Sequence, residues 1–368
     1  MSGLRALWFV RDDLERHRGG DTTQILRTKA AMEERGAFIE LRSPGDLRFD
    51  GFDIVHLWHM DRLWETLPIC RRLREQSGPP SVLSTIYWPT DEFDVHGRGT
   101  LSRVIARTIG TERLQAVRNV VRAARTARGR DTLARVGPLL RFRAGVQYVL
   151  DTVRAILPNS KAERERIAER FTLRCASVCV PNAVDTRVFH PGGANAAERS
   201  GVVCVGRIEP RKNQLALVRA VRGLPVRLGI VGDCGARHRA YFDQIRREAG
   251  DNVSFTPAMG HEQLVALYRQ SLVHVNVSWY ETPGLASLEA GVCGCRLVVT
   301  PGGCTREYFG DHALYADPSS PASIRAAILA ATSGGAPEPD PESWMTTFTW
   351  NEAAIATGRA YEIALQRS

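Results

Sequence analysis

Residues 202–213 read VVCVGRIEPRKN, an apolar run that ends at a glycine and passes into a charged loop. Such a run between turn residues predicts a buried strand, and the pattern from Asn213 onward predicts a helix. Further apolar runs follow at residues 227–231, 253–255, 273–277 and 297–299, with helical patterns between them. Strands that alternate with helices predict a parallel sheet covered by helices on both faces.

The first half of the chain has the same alternation. Its apolar runs lie at residues 4–10, 38–41, 54–58, 81–87 and 155–159, and a capping pattern at residues 21–24 predicts a helix from about Thr22 to Arg35. A Pro, Gly and Asn-rich connector at residues 181–193 separates the two series. We therefore predict an α/β protein of two Rossmann-like, doubly wound domains facing a central cleft, over residues 1–180 and 186–345.

Composition limits the class of protein. The 368 residues are about twice the length of one typical domain, and 43% hydrophobic with 24% charged residues is typical of a soluble globular chain. No apolar run approaches the length of a transmembrane helix, and the start is too short for a signal peptide, which predicts a cytoplasmic protein. Eight scattered cysteines without a Cys-x-x-Cys pair argue against disulfides and zinc.

The net charge of +9 is unevenly distributed. Residues 113–143 contain nine arginines and one acidic residue, Asp131, which gives that segment +8 and leaves +1 for the rest. Leu114, Val117, Val120 and Val121 recur there at helical spacing. An amphipathic basic helix of this kind predicts docking of Arg113–Arg143 on an anionic membrane surface, although a solvated arginine-rich face fits the same pattern. No nucleic-acid recognition module accompanies it.

The stretch SWYETPGLASLEA at residues 278–290 carries the most specific chemistry. It predicts a loop that ends near Glu281, followed by a helix opened by Pro283-Gly284. Free backbone N–H groups at such a start bind anions, and Gly284 allows a phosphate to approach. Glu289 would lie further along the same helix, where its carboxylate could accept hydrogen bonds from paired sugar hydroxyls. Two unrelated surface glutamates are the simpler interpretation of this stretch alone.

A second charged loop argues against the interpretation of Glu281 and Glu289 as unrelated surface residues. Gly206 to Lys212 follows a predicted buried strand and precedes a helix. Arg207 and Lys212 could bind one diphosphate, the arginine through two parallel hydrogen bonds and the lysine as a point charge.

Together these stretches resemble the retaining, GT-B-fold glycosyltransferases of family 4. That family has a Glu-x7-Glu motif, matched by Glu281 and Glu289, and a Gly-Arg…Lys loop, matched by Gly206, Arg207 and Lys212. Also similar are the glycine loop at residues 19–21, the connector at 181–191, Gly232-Asp233 after a strand, and residues 348–350 before the last helix. The resemblance implies that this helix, residues 349–368, packs back on the first domain.

The resemblance implies a sugar transfer from a nucleotide-sugar donor to a carbohydrate or lipid-linked acceptor, with retained anomeric configuration. Glu281 would contact the donor sugar, and Arg207 with Lys212 would neutralise the diphosphate. The remaining donor-binding positions that it implies are Glu289 on the ribose, the backbone amides of Gly284 and Leu285 on the leaving phosphate, and the glycines Gly20, Gly206 and Gly232. No cofactor or metal is expected, since basic residues neutralise the leaving group.

The sequence departs from the family pattern after the strand at residues 81–87. Many members have a histidine where this chain has Tyr87, so the sugar-positioning residue of the first domain is open. Tyr87, Trp88 and His59 are the candidates on the sugar or acceptor side, and His56 and His96 are further histidines of the same half.

Two other functions fit parts of the sequence. Two doubly wound domains also describe nicotinamide-dependent dehydrogenases, and Gly229 to Gly235 is the nearest stretch to a dinucleotide fingerprint, with different glycine spacing. A non-catalytic sugar-nucleotide-binding scaffold is the other alternative.

Overall fold

The computed structural model describes residues 3–14, 19–97, 108, 110–124, 141–193, 198–282 and 284–366. Its contacts divide the chain into two compact units. Unit 1 is drawn from Met1–Pro89, Val104–Asn182 and Trp350–Ser368, and unit 2 from Thr90–Arg103 and Ala183–Thr349. Residues 125–140, which contain four of the nine arginines of the basic segment, lie outside the described residues.

Unit 1 contains a six-stranded parallel sheet in the order β2-β1-β3-β4-β5-β6. The strands are β1 (Arg5–Phe9), β2 (Phe38–Arg42), β3 (Ile54–Trp58), β4 (Ser81–Ser84), β5 (Ala155–Leu157) and β6 (Ala176–Ser177). All residues of β3 and β4 are buried, as expected for strands with helices on both faces. The helices are α1 (Gly20–Glu34), α2 (Leu63–Glu75), α3 (Thr111–Ala124), α4 (Phe142–Leu150) and α5 (Lys161–Ala168).

Unit 2 repeats the plan, with a parallel sheet in the order β12-β11-β10-β7-β8-β9. The strands are β7 (Ser200–Val205), β8 (Leu228–Val231), β9 (Val253–Thr256), β10 (Ser271–Asn276), β11 (Arg296–Val299) and β12 (Leu314–Tyr315). The helices are α6 (Gln214–Val221), α7 (Arg239–Glu248), α8 (His261–Gln270), α9 (Leu285–Val292), α10 (Thr305–Phe309), α11 (Pro321–Thr332) and α12 (Pro341–Thr347). The chain crosses from one side of β7 to the other between β9 and β10, which makes β7 and β10 the switch point.

The last helix, α13 (Trp350–Gln366), returns to unit 1 and packs against α1 and β5. Its Tyr361 is fully buried, and the hydroxyl accepts a hydrogen bond from Trp8 Nε1 at 2.7 Å. The same hydroxyl lies 2.8 Å from Nδ1 of His56, whose Nε2 lies 2.9 Å from Ser84 Oγ. Burial lowers the pKa of His56 to about 3, so this histidine is a neutral member of the core.

Several element boundaries differ from those expected from the sequence. β4 ends at Ser84 instead of Tyr87, because the chain leaves the sheet to bind a buried carboxylate described below. α1 begins at Gly20, two residues early, with Gly19 as the N-cap. α9 begins at Leu285, with Gly284 as the N-cap in the left-handed region (φ 93°), and Pro283 lies outside the described residues. Propensity locates such elements well and their ends poorly, since caps and loop contacts decide the ends.

Candidate active site

The loops after β7 and β10 meet at the carboxyl edge of the second sheet. β7 and β10 are hydrogen-bonded neighbours, so the loop at residues 206–213 lies beside the loop at residues 277–284. Trp279 N donates a hydrogen bond to Arg211 O at 2.9 Å, which joins the two loops directly. In open α/β sheets, ligands bind outside the carboxyl ends of the strands at this switch point.

Lys212 and Glu281 form an ion pair at that position. Lys212 Nζ donates to Glu281 Oε1, and Arg211 Nη1 lies 3.7 Å from the same oxygen. Burial alone would raise the pKa of Glu281, but the two nearby cations hold it at about 2. Glu281 is therefore a buried, permanently ionised carboxylate, and Lys212 is only 16% exposed. The structure brings together two residues that the sequence separates by 69 positions.

The backbone of Glu281 is fixed by the loop after β11. Glu281 N donates to Gly302 O at 3.0 Å, and Glu281 O accepts from Cys304 N at 2.9 Å. Gly303 has φ of 100°, and a Cβ atom at that position would overlap the carbonyl oxygen of Glu281. Only glycine combines that conformation with so close a backbone contact, so this loop sets the position of the Glu281 carboxylate.

Gly206 and Gly232 form a second close backbone contact. Both have φ of 150°, and a Cβ atom at Gly232 would overlap the carbonyl group of Gly206. Ile208 N also donates to Asp233 O at 2.9 Å. The two glycines therefore hold the loops after β7 and β8 side by side, which fixes where the charged loop begins.

Arg207 and Arg211 differ in their surroundings, although both lie in the charged loop. Arg207 Nη2 is 3.5 Å from Glu209 Oε1, and its side chain is half exposed. Arg211 donates to Tyr280 O at 3.1 Å and to Glu209 Oε1 at 3.2 Å. Arg211 thus supports the loop that carries Glu281, whereas Arg207 is the cation that can turn towards a ligand. The sequence analysis did not single out Arg211, because its role depends on contacts 69 residues away.

Helix α9 begins at the edge of this site. Gly284 is buried, and a Cβ atom there would lie 3.1 Å from Asn276 Nδ2. Ser287 N donates to Gly284 O, so the amides of the first turn that precede it, including that of Leu285, have no partner within the helix. Unpaired N–H groups and the helix dipole make such a position favourable for an anion.

Glu289 lies on α9 in an environment opposite to that of Glu281. Burial raises the pKa of its carboxyl group to about 8, and among the described residues no side chain or backbone N–H donates to it. The ionised form of Glu289 is therefore not stabilised by any hydrogen-bond donor of the described residues. The two glutamates of the motif have pKa values on opposite sides of the usual range, a pattern typical of functional sites.

A network of buried polar side chains links β10 to Ser278, close to Glu281, and to Ser287 on α9, the helix that carries Glu289. Asn276 Oδ1 accepts from Ser278 Oγ at 2.6 Å, and Asn276 Nδ2 donates to Ser287 Oγ at 3.2 Å. Ser287 Oγ also lies 3.2 Å from His274 Nε2, and Ser278 lies near Glu281 and helps to lower its pKa. These buried hydrogen bonds restrict the geometry of the site, although His274 Nδ1 has no hydrogen-bond partner among the described residues. These hydrogen bonds were not predicted from the sequence, although three polar residues within an otherwise apolar strand and its loop could have indicated them.

The glycine loop of unit 1 is organised around a buried arginine. Arg11 donates to Asp21 Oδ2 at 2.8 Å and to Thr22 Oγ1 at 2.9 Å, which fixes the first turn of α1 next to Gly20. His59 Nε2 lies 3.3 Å from Asp21 Oδ2. Burial would raise the pKa of Asp21, but His59 and Arg11 hold it well below its usual range. The cluster lies at the carboxyl ends of β1 and β3, which is the switch point of the first sheet.

Tyr87 and Trp88 lie on the loop after β4. Tyr87 is buried in the core, its ring packs edge-on against Phe171, and its N–H donates to Glu163 Oε1 at 2.8 Å. Glu163 also accepts from Thr85 Oγ1, and its other oxygen accepts from the N–H of residue 159 at 2.8 Å. Trp88 is half-buried beneath the guanidinium of Arg166.

Among the described residues, no group of three or more His, Cys, Asp or Glu side chains could hold a metal ion. That no metal takes part stays a prediction. In the same part of the chain, no helix combines the length and the apolar character needed to cross a bilayer.

Sequence comparison then finds similar proteins. Residues 188–342, which contain the charged loop and the Glu-x7-Glu motif, match the family model described as "Glycosyl transferases group 1". A curated relative, D-inositol 3-phosphate glycosyltransferase of Mycolicibacterium smegmatis, is 30% identical over 238 residues, which are 61% of this chain and 52% of the relative. The match thus spans about half of that protein's length.

Solved structures identify the fold of this chain. Sucrose-phosphate synthase from Thermosynechococcus elongatus superposes with a TM-score of 0.67 at 17% identity, over 99% of this chain and 96% of that one. Anabaena HepE, solved in complex with UDP and glucose, gives a TM-score of 0.62 at 13% identity, over 99% and 98% of the two chains. The predicted fold class, α/β with two Rossmann-like units of the GT-B type, is confirmed.

Proposed function

We propose that this protein is a glycosyltransferase that moves a sugar from a nucleoside-diphosphate sugar to a carbohydrate or lipid-linked acceptor, with retention of the anomeric configuration. The observation that carries the proposal is the Lys212–Glu281 pair at the switch point of the second sheet. A buried carboxylate with a cation on one side and the start of a helix nearby offers partners for both parts of such a donor. The carboxylate accepts from sugar hydroxyls, and the cations with the helix amides bind the diphosphate.

The charges suit the reaction. When the bond between the anomeric carbon and the diphosphate breaks, negative charge grows on the leaving phosphate and positive charge on the sugar. Lys212 and Arg207 would stabilise the negative charge on the phosphate, and the ionised Glu281 would stabilise the positive charge on the sugar. Groups held in place before the reaction stabilise such charges without reorganisation, and this is usually the largest contribution to catalysis. The acceptor hydroxyl forms the new bond to the anomeric carbon, and its proton passes to the departing diphosphate. This needs no metal, and we propose none.

Binding of a donor must replace the carboxylate partners of Lys212 and Arg207. In the structure, Lys212 is paired with Glu281, and Arg207 lies near Glu209. A diphosphate would draw both cations away from their carboxylates, and the Glu281 carboxylate would then be available to the sugar. A solved structure of the same fold agrees with this donor class: HepE is described in complexes with UDP and glucose and with UDP-glucose.

The test is turnover of a donor panel. UDP-, GDP-, ADP- and dTDP-glucose are incubated with the protein, and release of the nucleoside diphosphate is measured with and without sugar acceptors. Lys212→Ala should lower kcat/KM by about 10²- to 10³-fold, as for lost oxyanion donors. Lys29→Ala is the matched control, because Lys29 forms an exposed ion pair with Glu33 on α1. Proton NMR of the transferred sugar reports its configuration.

Three outcomes contradict the proposal. Nucleotide binding without any release would indicate the sugar-nucleotide-binding scaffold. Unchanged turnover in Lys212→Ala would remove the pair from the mechanism. An inverted product would contradict retention. A dehydrogenase would instead reduce a nicotinamide cofactor, which absorbance detects.

We also propose that α3 docks on an anionic membrane surface, at the inner face of the membrane of a cytoplasmic pathway with a lipid-linked acceptor. Val117, Val120 and Val121 are 51%, 36% and 43% exposed on this one helix. Three exposed valines beside a sequence of +8 net charge suit an interfacial helix, because each basic residue near an anionic leaflet contributes about 1 kcal/mol. Leu114, expected on the same apolar face, is instead buried in unit 1.

Vesicle co-sedimentation tests this docking. Binding should require anionic lipid, weaken with added salt, and fall when Val117 and Val121 are both changed to Ser. Leu329→Ser is the control, because Leu329 is 40% exposed on α11 of unit 2. Equal binding to neutral vesicles, or an equal loss in the control, would contradict docking through α3 and leave the transfer reaction untouched.

A further inference from the structure

The charged loop after β7 contains a buried acidic residue among its cations. Three of residues 206–212 are basic, and Glu209 is the one acidic residue between them. Glu209 precedes the short turn at Pro210–Lys212, and its carbonyl oxygen accepts a hydrogen bond from Lys212 N at 2.9 Å. Its side chain is buried. A carboxylate at this position repels the diphosphate that the loop is proposed to bind, so it reduces the affinity of the site for anions.

Arg211 holds the Glu209 carboxylate in place. Arg211 Nη2 donates to Glu209 Oε1 at 3.2 Å, and Arg211 Nη1 donates to Tyr280 O at 3.1 Å. Burial alone would raise the pKa of Glu209, but Arg211 and Arg207 lower it below its usual value, so the carboxylate is ionised at neutral pH. Glu209 is therefore a fixed negative charge of unit 2.

Arg207 contacts the same carboxylate oxygen more loosely. Arg207 Nη2 lies 3.5 Å from Glu209 Oε1, which is long for a hydrogen bond, and half of the Arg207 side chain is exposed. Exposed ion pairs contribute little stability, so Arg207 can leave Glu209 when a phosphate arrives. The carboxylate cannot follow, because Arg211 holds it. Glu209 therefore competes with a phosphate for Arg207, and its charge stays close to the phosphate that replaces it.

We infer that Glu209 weakens the binding of the nucleoside diphosphate product more than that of the sugar-nucleotide donor, and so promotes product release. This inference rests on the proposed function, since it describes how the same phosphate site is regulated. In a sugar nucleotide each of the two phosphates carries one negative charge. After the sugar has been transferred, the terminal phosphate of the product can ionise a second time, with a pKa near 6. Repulsion by a fixed carboxylate is therefore stronger for the product, and product release limits the rate of many enzymes.

The test compares the affinities of product and donor in charge variants. Glu209→Gln removes the charge and keeps the length of the side chain. UDP, GDP, ADP and dTDP and their glucose conjugates are titrated by calorimetry at pH 8, where the terminal phosphate of the bare nucleotides is doubly ionised. Glu338→Gln is the matched control, because it removes the same charge from an ion pair with Arg296 at the start of β11, at the opposite edge of the same sheet.

In Glu209→Gln, the affinity for the bare diphosphate should rise about five-fold, as for the loss of one competing ion pair, and the affinity for the glucose conjugate should stay within about two-fold. Inhibition of turnover by the diphosphate should strengthen by the same factor. Glu209→Asp draws the carboxylate back by one methylene, so it should give a smaller gain with the same preference, and it serves as the test if Glu209→Gln does not fold.

Three results would overturn the inference. Unchanged or weaker diphosphate binding in Glu209→Gln would mean that the carboxylate only supports the loop. An equal gain for diphosphate and glucose conjugate would contradict the preference, and the same gain in Glu338→Gln would indicate a general effect of net charge. Lys212→Ala separates the two proposals: if it loses turnover while Glu209→Gln binds diphosphate as the wild type does, only the role of Glu209 fails. If the wild type releases no diphosphate from any donor, the proposed function itself fails.

Discussion

The raised pKa of Glu289 predicts that donor binding releases a proton. In the free protein burial holds this pKa at about 8, so at pH 7 only about a tenth of the molecules carry the carboxylate. If the carboxylate accepts hydrogen bonds from the ribose hydroxyls, the bound state favours the ionised form and lowers the pKa. Close to 0.9 protons, a rough figure, should then leave per ligand at pH 7.

The direction of the pH dependence follows from the same linkage. A group that must lose a proton to bind makes binding tighter as the pH rises towards its free-state pKa. Between pH 6 and pH 8 the ionised fraction of Glu289 rises from about 1% to about half, so the affinity should improve about 50-fold. Above pH 8 the gain should level off. Glu281 adds nothing in this range, because its pKa of about 2 leaves it ionised throughout.

Calorimetry measures both effects. The binding enthalpy of a sugar nucleotide is recorded in two buffers with different ionisation enthalpies, which gives the number of protons released. A sugar nucleotide is preferred to the bare diphosphate, whose terminal phosphate itself titrates near pH 6. Glu289→Gln is the control: it should bind more weakly at pH 8 and release no proton of its own. Equal proton release by wild type and Glu289→Gln would refute the reasoning, and so would an affinity that does not change with pH.

Two further predictions concern fixed geometry. Tyr361→Phe leaves Trp8 Nε1 and His56 Nδ1 without their buried partner, and urea unfolding should show a loss of about 2–4 kcal/mol with an unchanged m-value; a loss below 0.5 kcal/mol would contradict that role. Gly303→Ala should displace Glu281 and lower kcat/KM about 100-fold with little change in circular dichroism, whereas wild-type kinetics would mean that the loop does not set its position.

The core of the fold could be predicted from the sequence because apolar runs and glycines mark parallel strands directly. β3 matches its predicted bounds of Ile54 to Trp58. The ends of other elements depend on tertiary contacts that no local pattern contains. β4 is short because Glu163, 76 residues after Tyr87, accepts the Tyr87 N–H.

Part of the site could also be predicted, because the spacing of its motifs is visible in the sequence. Motif spacing indicated Glu281, Glu289, Arg207 and Lys212, and the structure brings Lys212 to Glu281. The opposite pKa values of the two glutamates could not be predicted, since they depend on which carboxylate receives a cation. The contact between Phe93 and Trp279 could not be predicted from the sequence either, because it joins residues more than 180 positions apart.

The most direct test of the account is ligand-dependent stability. Thermal unfolding is followed in the presence of UDP-, GDP-, ADP- and dTDP-sugars, for the wild type and for Lys212→Ala. At 100 times its dissociation constant, the right donor should add about 2.7 kcal/mol to the stability of the wild-type protein. Lys212→Ala should lose most of that gain. No stabilisation by any sugar nucleotide, or the same stabilisation in Lys212→Ala, would contradict a donor site built on the Lys212–Glu281 pair.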